Sequence, residues 1–339
     1  MDIKEFIDEW NNGSERMLVH TSGSTGKPKP MWVEKKRMAH SARTTCAFLG
    51  LKRGDRALLC LSLNYIAGKM MAVRAIEWGL NLVCVEPSGH PLSTINVERL
   101  TINEACSSEP PPRGRQEGAL TFAAMTPMQV YNTLQVAEER ERLMQIKHLI
   151  IGGGAIDEAL EAELRHLPNA VWSTYGMTET LSHIALRRIN GGEGYYTPFP
   201  DVSVSLNDEG CLVIDAPGVC AQTLVTNDCA ELHPDGRRFR IIGRKDNVIN
   251  SGGIKIHAEE VEQMLRPHLS MPFIITKATD PKFGEVVALV YEEGSCGESV
   301  KSICQSVLPK YWQPRRYLPV EQILLTETGK VRRDISLYI

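Results

Sequence analysis

The strongest constraint on the fold is a regular alternation of short apolar runs with segments of helical periodicity across residues 17–174. Segment 34–49 is typical of the helices, because Met38, Ala42 and Cys46 recur at the spacing of one helical face. Strands that alternate with helices in this way pair in parallel and are covered by those helices. The pattern therefore predicts an α/β fold with a large, mostly parallel sheet. The predicted strands are 17–20, 56–63, 81–85, 120–125, 147–151 and 170–174, and the further helices are 66–78, 96–106, 127–136 and 156–166.

The pattern changes twice in the rest of the chain. From about 183 to 242, short strands between Gly, Asn and Asp turns predict a small antiparallel β-subdomain. After Gly243 the periodicity predicts a compact α+β unit that is large enough to have its own core. We therefore predict a large domain at 1–245, which includes the β-subdomain, and a small domain at 246–339. The predicted elements of the small domain are helices at 257–266 and about 298–307 and strands at 272–278 and 285–291.

Charge and cysteine content exclude several classes of protein. The 38 basic and 41 acidic residues give a net charge of −3, which does not favour nucleic-acid binding. The nine cysteines form no CxxC pair and fit no zinc spacing, so we expect reduced thiols. Segment 1–16 has no apolar stretch of signal-peptide length, and no apolar run approaches the roughly 20 residues of a membrane helix. We expect a cytoplasmic protein without a nucleic-acid partner or a membrane span.

The segment Thr21–Lys29 (TSGSTGKPK) is the strongest local signal for a ligand. Its hydroxyl groups and backbone N–H groups are donors, its glycines allow close approach of an anion, and its two lysines add positive charge. It is not a Walker loop, because only two residues separate Gly23 from Gly26 and Pro28 follows the first lysine. The segment predicts a polyphosphate site; a flexible Gly/Ser linker is the plainer alternative.

Further motifs follow this loop in a fixed order between residues 17 and 333. They are Gly152–Ala155 (GGGA), Ser173–Thr180 (STYGMTET), Gly243–Asp246 (GRKD) followed by Ser251–Ile256 (SGGIKI), and Thr328–Arg333 (TGKVRR). With the loop, these motifs are similar to those of the acyl-adenylate-forming ligases, a family of acyl-CoA synthetases, luciferases and peptide-synthetase adenylation domains. The resemblance implies a reaction in two halves, with ATP, Mg²⁺ and coenzyme A. A small-molecule carboxylic acid attacks the α-phosphate and expels pyrophosphate, and a thiol then displaces AMP.

The resemblance also implies roles for individual residues. Glu179 would hold Mg²⁺, and its alternative is a solvated carboxylate. Tyr175 would stack on adenine, and its alternative is a core aromatic. Lys330 would bridge the substrate carboxylate and the α-phosphate, and its alternative is an exposed tail lysine. The remaining roles are the β- and γ-phosphates for Thr21, Ser22, Gly23, Ser24, Thr25, Gly26 and Lys29; the adenine side for Gly153, Gly154, Ala155 and Gly176; the α-phosphate for Thr178; and the ribose for Asp228 and Arg244.

The small domain is implied to be mobile, with Asp246 at the hinge. Gly252 and Gly253 would line the pantetheine tunnel in the second half-reaction, and a plain β-turn is the alternative for both. Asn227 stands where the family has Gly before the ribose-binding aspartate. Since Asn tolerates a positive φ, we expect a turn there to persist. A hairpin-turn residue is the alternative for Asp228.

The acyl pocket departs from the common family pattern. The phosphate loop begins at residue 21, so most of the usual N-terminal subdomain is missing, and Tyr65 stands where many relatives have His. The short N-terminus, Ala123–Val130 (AAMTPMQV) and Ser251–Glu262 (SGGIKIHAEEVE) are most similar to o-succinylbenzoate–CoA ligases of menaquinone synthesis. Such a pocket must hold an aromatic ring and a second carboxylate. The candidates are Tyr65, Thr126, Gln129, Ser182 and His183, with a satisfied strand-end histidine as the alternative for His183.

Two other functions stay open at this point. The chain could adenylate an acid for a carrier-protein thiol, although no carrier-like domain is fused to it. It could also be a catalytically silent acyl-nucleotide-binding protein, against which the presence of Glu179, Arg244 and Lys330 argues.

Overall fold

The computed structural model describes residues 1–20, 30–93, 119–293, 299–325 and 331–339. The helices are α1 (Ile3–Asn11), α2 (Lys35–Phe48), α3 (Ile66–Trp78), α4 (Pro127–Leu134), α5 (Ala137–Met144), α6 (Glu158–Leu164), α7 (Ala258–Leu265) and α8 (Val300–Val307). The strands of the first part are β1 (Arg16–His20), β2 (Pro30–Glu34), β3 (Arg56–Leu59), β4 (Asn81–Cys84), β5 (Phe122–Met125), β6 (His148–Ile151), β7 (Ala170–Gly176), β8 (His183–Arg188) and β9 (Thr197–Pro198). The later strands are β10 (Ser203–Leu206), β11 (Cys211–Asp215), β12 (Leu224–Leu232), β13 (Phe239–Arg244), β14 (Val248–Ser251), β15 (Ile254–His257), β16 (Phe273–Asp280), β17 (Gly284–Glu292) and β18 (Arg316–Val320).

Seven strands form the large sheet in the order β4-β3-β5-β6-β7-β8-β9. The five strands from β4 to β7 in this order are parallel, and β8 and β9 continue the sheet in antiparallel fashion. All four residues of β5 are buried, as expected for a strand covered on both faces. The predicted α/β class with a mostly parallel sheet is confirmed.

Several elements differ from the sequence-based expectation, among them α1, β2, β14, β15 and β18, which were not predicted. Residues 183–188, assigned above to the β-subdomain, form β8 and pair with β7 in the large sheet. Helix α5 was not predicted, because its sequence AEERERLM is mostly charged and shows little apolar periodicity. Predicted helix 96–106 lies outside the described residues.

The antiparallel region after β9 is a four-stranded sheet in the order β10-β11-β12-β13. A second antiparallel group has the order β15-β14-β17-β16, and β18 adds to it in parallel beside β17. Both sheets agree with the predicted change of pattern after the large sheet.

The described chain separates into two compact units. The first comprises Met1–Val204, Ile214–Leu224 and His233–Arg238, and the second comprises Ser205–Val213, Val225–Leu232 and Phe239–Ile339. The predicted domain boundary between residues 245 and 246 lies inside the second unit, and the hinge at Asp246 stays a prediction.

The C-terminal segment of the second unit is anchored by a buried ion pair. Arg333 contacts the carboxylate of Glu262 with both terminal nitrogens, one of them at 2.8 Å, and it also donates to the Ile275 carbonyl at 2.7 Å. Glu262 in turn accepts from the Ile275 backbone N–H at 2.7 Å. Two parallel hydrogen bonds of this kind fix the orientation of the guanidinium as well as its distance from the carboxylate. It therefore holds the chain against α7 and β16 three residues after Lys330.

Candidate active site

Three of the predicted site segments meet at one edge of the large sheet. Thr126 follows β5, Gly152 follows β6, and Tyr175 lies at the end of β7. These strands are adjacent and parallel, so their carboxyl ends lie at the same edge. In open α/β sheets this edge is where ligands bind.

The glycine-rich turn Gly152–Ala155 has no room for a side chain at its first residue. A Cβ on Gly152 would collide with the Thr174 hydroxyl. Gly153 has φ +83°, a left-handed conformation that favours glycine. Its Cβ position lies 3.9 Å from the Thr126 methyl group. The turn thus presents backbone rather than side chains beside Thr126.

Tyr175 is half-buried, with its ring beside a second tyrosine. The ring centroids of Tyr175 and Tyr196 are 5.7 Å apart, with planes inclined at 55°. The Tyr196 hydroxyl is 2.9 Å from the Ser173 hydroxyl, which fixes the second ring. Tyr175 is therefore supported on one side and incompletely buried. This arrangement fits either a ring that stacks on adenine or a core aromatic.

The turn after β7 requires glycine at its start. The sheet has a bulge between Tyr175 and Gly176, and a Cβ on Gly176 would meet the Ser182 carbonyl and the His183 Cα. The Thr180 hydroxyl links the turn by accepting from the Met177 N–H at 2.9 Å and contacting the Ser182 carbonyl at 2.7 Å.

We expect Gly176→Ala to lower the free energy of unfolding by about 1–3 kcal/mol, because the backbone must move to admit the methyl group. AMP formation should fall with it, since the same movement displaces the turn. Denaturant unfolding and steady-state kinetics measure the two effects. Gly154→Ala is the matched control for the stability measurement, because its Cβ would lie at an ordinary 3.7 Å from Pro127. Unchanged stability of Gly176→Ala would contradict the packing argument.

Leu181 lies in the same turn with φ 66° and ψ −36°. It is the single non-glycine residue with positive φ in the described ranges, and its side chain is buried. A branched residue held in this region stores backbone strain, and such strain accumulates at functional sites. The turn between Gly176 and Ser182 is therefore held in one conformation at the expense of backbone strain at Leu181.

Glu179 lies in the 3₁₀ turn Thr178–Thr180 with its carboxylate exposed. That carboxylate has no hydrogen bond or ion pair to any residue that the structure describes, while its backbone carbonyl accepts from the Cys220 thiol at 3.2 Å. The described residues contain no cluster of three or more His, Cys, Asp or Glu side chains that could hold a metal. A single free carboxylate fits Mg²⁺, which takes one or two carboxylates and completes its shell with waters and phosphate oxygens.

Two of the predicted acyl-site residues have structural partners. The Gln129 amide donates to the Cys60 and Ser88 carbonyls at 3.2 and 2.9 Å and accepts from the Thr126 N–H at 3.0 Å. The Thr126 hydroxyl caps α4 by accepting from the Gln129 N–H. Gln129 thus ties the ends of β3 and β5 together. Tyr65 precedes α3 and is 49% exposed.

Sequence reasoning missed Arg74 in the middle of α3. Its side chain is 2% exposed, and one terminal nitrogen donates to the Ser182 hydroxyl at 2.9 Å. Its Nε is buried without a partner, and no described carboxylate lies within ion-pairing distance. Burial lowers the pKa of Arg74 to about 10, partly offset by the neighbouring Cys46. The sequence did contain a signal for a buried cation, because Arg74 is the single charged residue in the apolar run MMAVRAI.

Lys69 in the same helix shows the ordinary way to bury a cation. It is 3% exposed, and its Nζ lies 3.3 Å from a carboxylate oxygen of Glu9 and 5.9 Å from the centroid of the Phe6 ring. Buried charges are normally paired. Lys69 is thus paired with a carboxylate, whereas Arg74 has no anion among the residues that the structure describes.

Ser182 and His183, two of the predicted acyl-site residues, lie beside Arg74; their role in acyl binding stays a prediction. The Ser182 hydroxyl is 3.3 Å from His183 Nδ1, and His183 Nε2 is 3.1 Å from the Thr45 hydroxyl. Burial, together with the charge of Arg74, holds the pKa of His183 well below its usual range. His183 is therefore neutral at pH 7, and Arg74 supplies the positive charge.

The predicted ribose residues lie together in the second unit. Asp228 pairs with Arg244 across β12 and β13, and the guanidinium lies 3.8 Å from Asp228 and 3.3 Å from Asp246. Asn227 continues β12 without a positive φ, so the turn expected there is not formed. The strand pairing alone sets Asp228 and Arg244 opposite each other.

Gly252 and Gly253 form the two-residue loop between β14 and β15. Their φ angles are 58° and 88°, which both central positions of this class of hairpin turn require. Gly252 N–H donates to the Phe283 carbonyl at 2.9 Å, and a Cβ there would lie 3.1 Å from the Phe283 ring. The turn accounts for both glycines; their role in a pantetheine tunnel stays a prediction.

Two groups of predicted residues lie outside the described residues: the phosphate loop Thr21–Lys29 and the catalytic candidate Lys330. The loop joins paired strands, since His20 of β1 lies opposite Pro30 of β2. In the part of the chain that the structure describes, no helix is both long and apolar enough to cross a bilayer.

Several known proteins are similar to this chain in sequence and in fold. The chain is 23% identical to 2-succinylbenzoate–CoA ligase of Listeria monocytogenes over 97% of its own length and 71% of that protein. It is 24% identical to the enzyme of the same name from Bacillus subtilis, over 94% and 67% of the two chains. A crystal structure of an acyl-CoA synthetase (AMP-forming)/AMP-acid ligase II-like protein from Dyadobacter fermentans is 32% identical, with a TM-score of 0.64 over 97% of this chain and 91% of that one.

The fold is also that of the Bacillus subtilis o-succinylbenzoate coenzyme A synthetase solved with ATP and magnesium ion. That structure is 22% identical and superposes with a TM-score of 0.72 over 93% of this chain and 68% of the other. The sequence model of the AMP-binding enzymes matches residues 8–220, more than half of the chain. This chain therefore belongs to the AMP-binding enzyme family.

Proposed function

We propose that the chain is an AMP-forming acid–CoA ligase that converts o-succinylbenzoate to o-succinylbenzoyl-CoA through an acyl-adenylate. Support comes from the family, from the site motifs at the carboxyl edge of the sheet, and from relatives named 2-succinylbenzoate–CoA ligase. We place the reaction in the cytoplasm, in keeping with the free thiols of the seven described cysteines.

The uncompensated charge of Arg74 is the observation that carries the choice of acyl group. o-Succinylbenzoate has two carboxylates, of which one reacts and the other stays charged. A guanidinium with a free Nε–H and fixed neighbours suits the planar, bidentate geometry of a carboxylate. The unreactive carboxylate would supply the counter-ion that Arg74 lacks, with the Ser182 hydroxyl beside it.

The remaining residues serve the adenylation chemistry. Attack of a carboxylate on a polyphosphate brings two anions together, so the site must supply positive charge and alignment. In this proposal Lys330 and the Thr21–Lys29 loop supply charge, and Thr178 donates to the α-phosphate. Asp228 accepts from the ribose hydroxyls and Arg244 donates to them. Glu179 holds Mg²⁺, which when bound neutralises phosphate charge.

Glu179→Gln is expected to reduce adenylation by at least about 10²-fold, because the amide keeps the shape and loses the charge that holds the metal. The fold should be unaffected, since the carboxylate is exposed and has no described hydrogen-bond partner. ATP–pyrophosphate exchange over a range of Mg²⁺ concentrations measures the effect. Glu163→Gln, on the described surface away from the turn, is the control. Activity with unchanged Mg²⁺ dependence would remove Glu179 as the ligand.

The experiment that tests the function compares four acids in an exchange assay and in CoA-dependent AMP release. The acids are o-succinylbenzoate, 4-oxo-4-phenylbutanoate (which lacks only the ring carboxylate), benzoate and a fatty acid. We expect o-succinylbenzoate to be strongly preferred. Equal or better turnover of a monocarboxylic acid would refute this substrate and leave the ligase class standing. Exchange without CoA-dependent release would point to a carrier-protein thiol, and no exchange with any acid would point to a silent nucleotide-binding protein.

A further inference from the structure

A chain of hydrogen bonds leads from Arg74 into the interior of the first unit. Arg74 Nη2 lies 2.9 Å from the Ser182 hydroxyl, which lies 3.3 Å from His183 Nδ1. His183 Nε2 lies 3.1 Å from the Thr45 hydroxyl, which lies 3.0 Å from the Ser41 carbonyl. The chain of hydrogen bonds runs from α3 through Ser182 and the first residue of β8 to α2. All five residues are buried or nearly so.

The Ser41 carbonyl at one end of this chain and a neutral His183 together fix the direction of every hydrogen bond in it. A guanidinium can only donate, and a backbone carbonyl can only accept. Ser182 therefore accepts from Arg74 and donates to His183 Nδ1, and Thr45 accepts from His183 Nε2–H and donates to Ser41. This order requires a neutral imidazole with its proton on Nε2. Burial keeps His183 neutral, as the lowered pKa indicates.

The chain is the main polar restraint on the Arg74 head group. Its other described contact is a weak one, from Nη1 to the Met71 sulfur at 3.6 Å. With Nη2 held by Ser182, the plane of the guanidinium is set and the unpartnered Nε–H points in one direction. The orientation of Ser182 depends in turn on His183, and that of His183 on Thr45.

We propose that His183 and Thr45 are positioning residues that orient Arg74 and Ser182 toward the unreactive carboxylate of the acyl substrate. Neither touches that carboxylate, because both ring nitrogens of His183 and the Thr45 hydroxyl are already engaged. This inference rests on the proposed function and deepens it. It assigns selectivity between dicarboxylic and monocarboxylic acids to a residue of α2 that no sequence motif contains.

The test uses the ratio of kcat/KM for o-succinylbenzoate to that for 4-oxo-4-phenylbutanoate in the full-length enzyme. The two acids differ only in the group that Arg74 would bind. Thr45→Val keeps the shape of the side chain and removes the acceptor for Nε2–H, and Thr45→Ser keeps the hydroxyl. We expect Thr45→Val to lower the ratio by about 10–10²-fold, mainly through KM for o-succinylbenzoate, because misplacement of a binding group by about 1 Å has effects of this size. Thr45→Ser should restore the ratio to within about threefold of wild type.

A second series protects the test against misfolding of one variant. His183→Asn keeps an acceptor near the Nδ1 position for Ser182 and loses the link to Thr45, and His183→Leu loses both. We expect the ratio to fall in the order wild type, His183→Asn, His183→Leu, because kcat/KM for o-succinylbenzoate falls by more than kcat/KM for 4-oxo-4-phenylbutanoate.

Equal loss with both acids in the folded variants would reduce Thr45 and His183 to core residues and overturn the proposal, as would an unchanged ratio. Failure of the proposed function has a different signature. It would appear in the wild-type enzyme alone, as no preference for o-succinylbenzoate, and the positioning proposal would fall with it.

Discussion

Replacing Arg74 with methionine should lower kcat/KM for o-succinylbenzoate by about 10²–10³-fold, the usual cost of removing one partner of a buried, hydrogen-bonded charge pair. Methionine fills much of the same volume and keeps an apolar stem in the interior of α3. Turnover of 4-oxo-4-phenylbutanoate should change less, since that acid lacks the ring carboxylate that Arg74 would bind. Steady-state kinetics with both acids measures the difference.

The same variant should be at least as stable as the wild-type chain without ligand. A basic group whose pKa is lower in the folded than in the unfolded chain destabilises the fold wherever it is charged in both states. For Arg74, with a pKa of about 10 when buried, that range includes pH 7. Its removal should therefore leave the melting temperature unchanged or raised. If Arg74 served instead to stabilise the fold, its replacement would lower the melting temperature.

Lys69→Met is the matched control on the same helix. Because Lys69 is paired with Glu9, its removal leaves a partly buried carboxylate without its cation and should lower stability. It should not alter the preference between the two acids. A loss of stability in Arg74→Met as large as that in Lys69→Met would contradict the assignment of Arg74 to the substrate.

Lys330→Ala should reduce acyl-adenylate formation by about 10²–10³-fold, equivalent to about 3–4 kcal/mol of transition-state stabilisation. An ammonium group between the attacking carboxylate and the α-phosphate stabilises charge that builds during this step. Thioester formation starts from a finished acyl-adenylate and does not build the same charge. It should therefore be largely retained when the acyl-adenylate and CoA are supplied.

Single-turnover kinetics of each half-reaction separates these outcomes. Arg332→Ala is a suitable control, since it removes a neighbouring cation from the same segment. Equal loss in both half-reactions would refute the division of labour between Lys330 and the Gly252–Gly253 loop. Full activity in the first half-reaction would remove Lys330 from the catalytic residues.

Much of the fold follows from local periodicity. Helix α3 has the predicted bounds, Ile66–Trp78, because an apolar helical pattern ends at a glycine, Gly79, whose φ is 69°. The five parallel strands of the large sheet lie where the apolar runs predict them. The motif order likewise determined the family, since the residues of each motif are adjacent in sequence.

The sequence by itself thus determined the parallel strands of the sheet, their order along the chain, and the segments that carry the site motifs. Tertiary structure decided which segments lie in contact with one another. It placed β8 beside β7, and it joined Arg74 to Ser182, 108 positions further along the chain. It also showed that, within the described ranges, Lys69 has an anion and Arg74 does not. Periodicity records which residues are buried, but the pairing of buried charges depends on contacts between distant segments, and only the folded chain contains them.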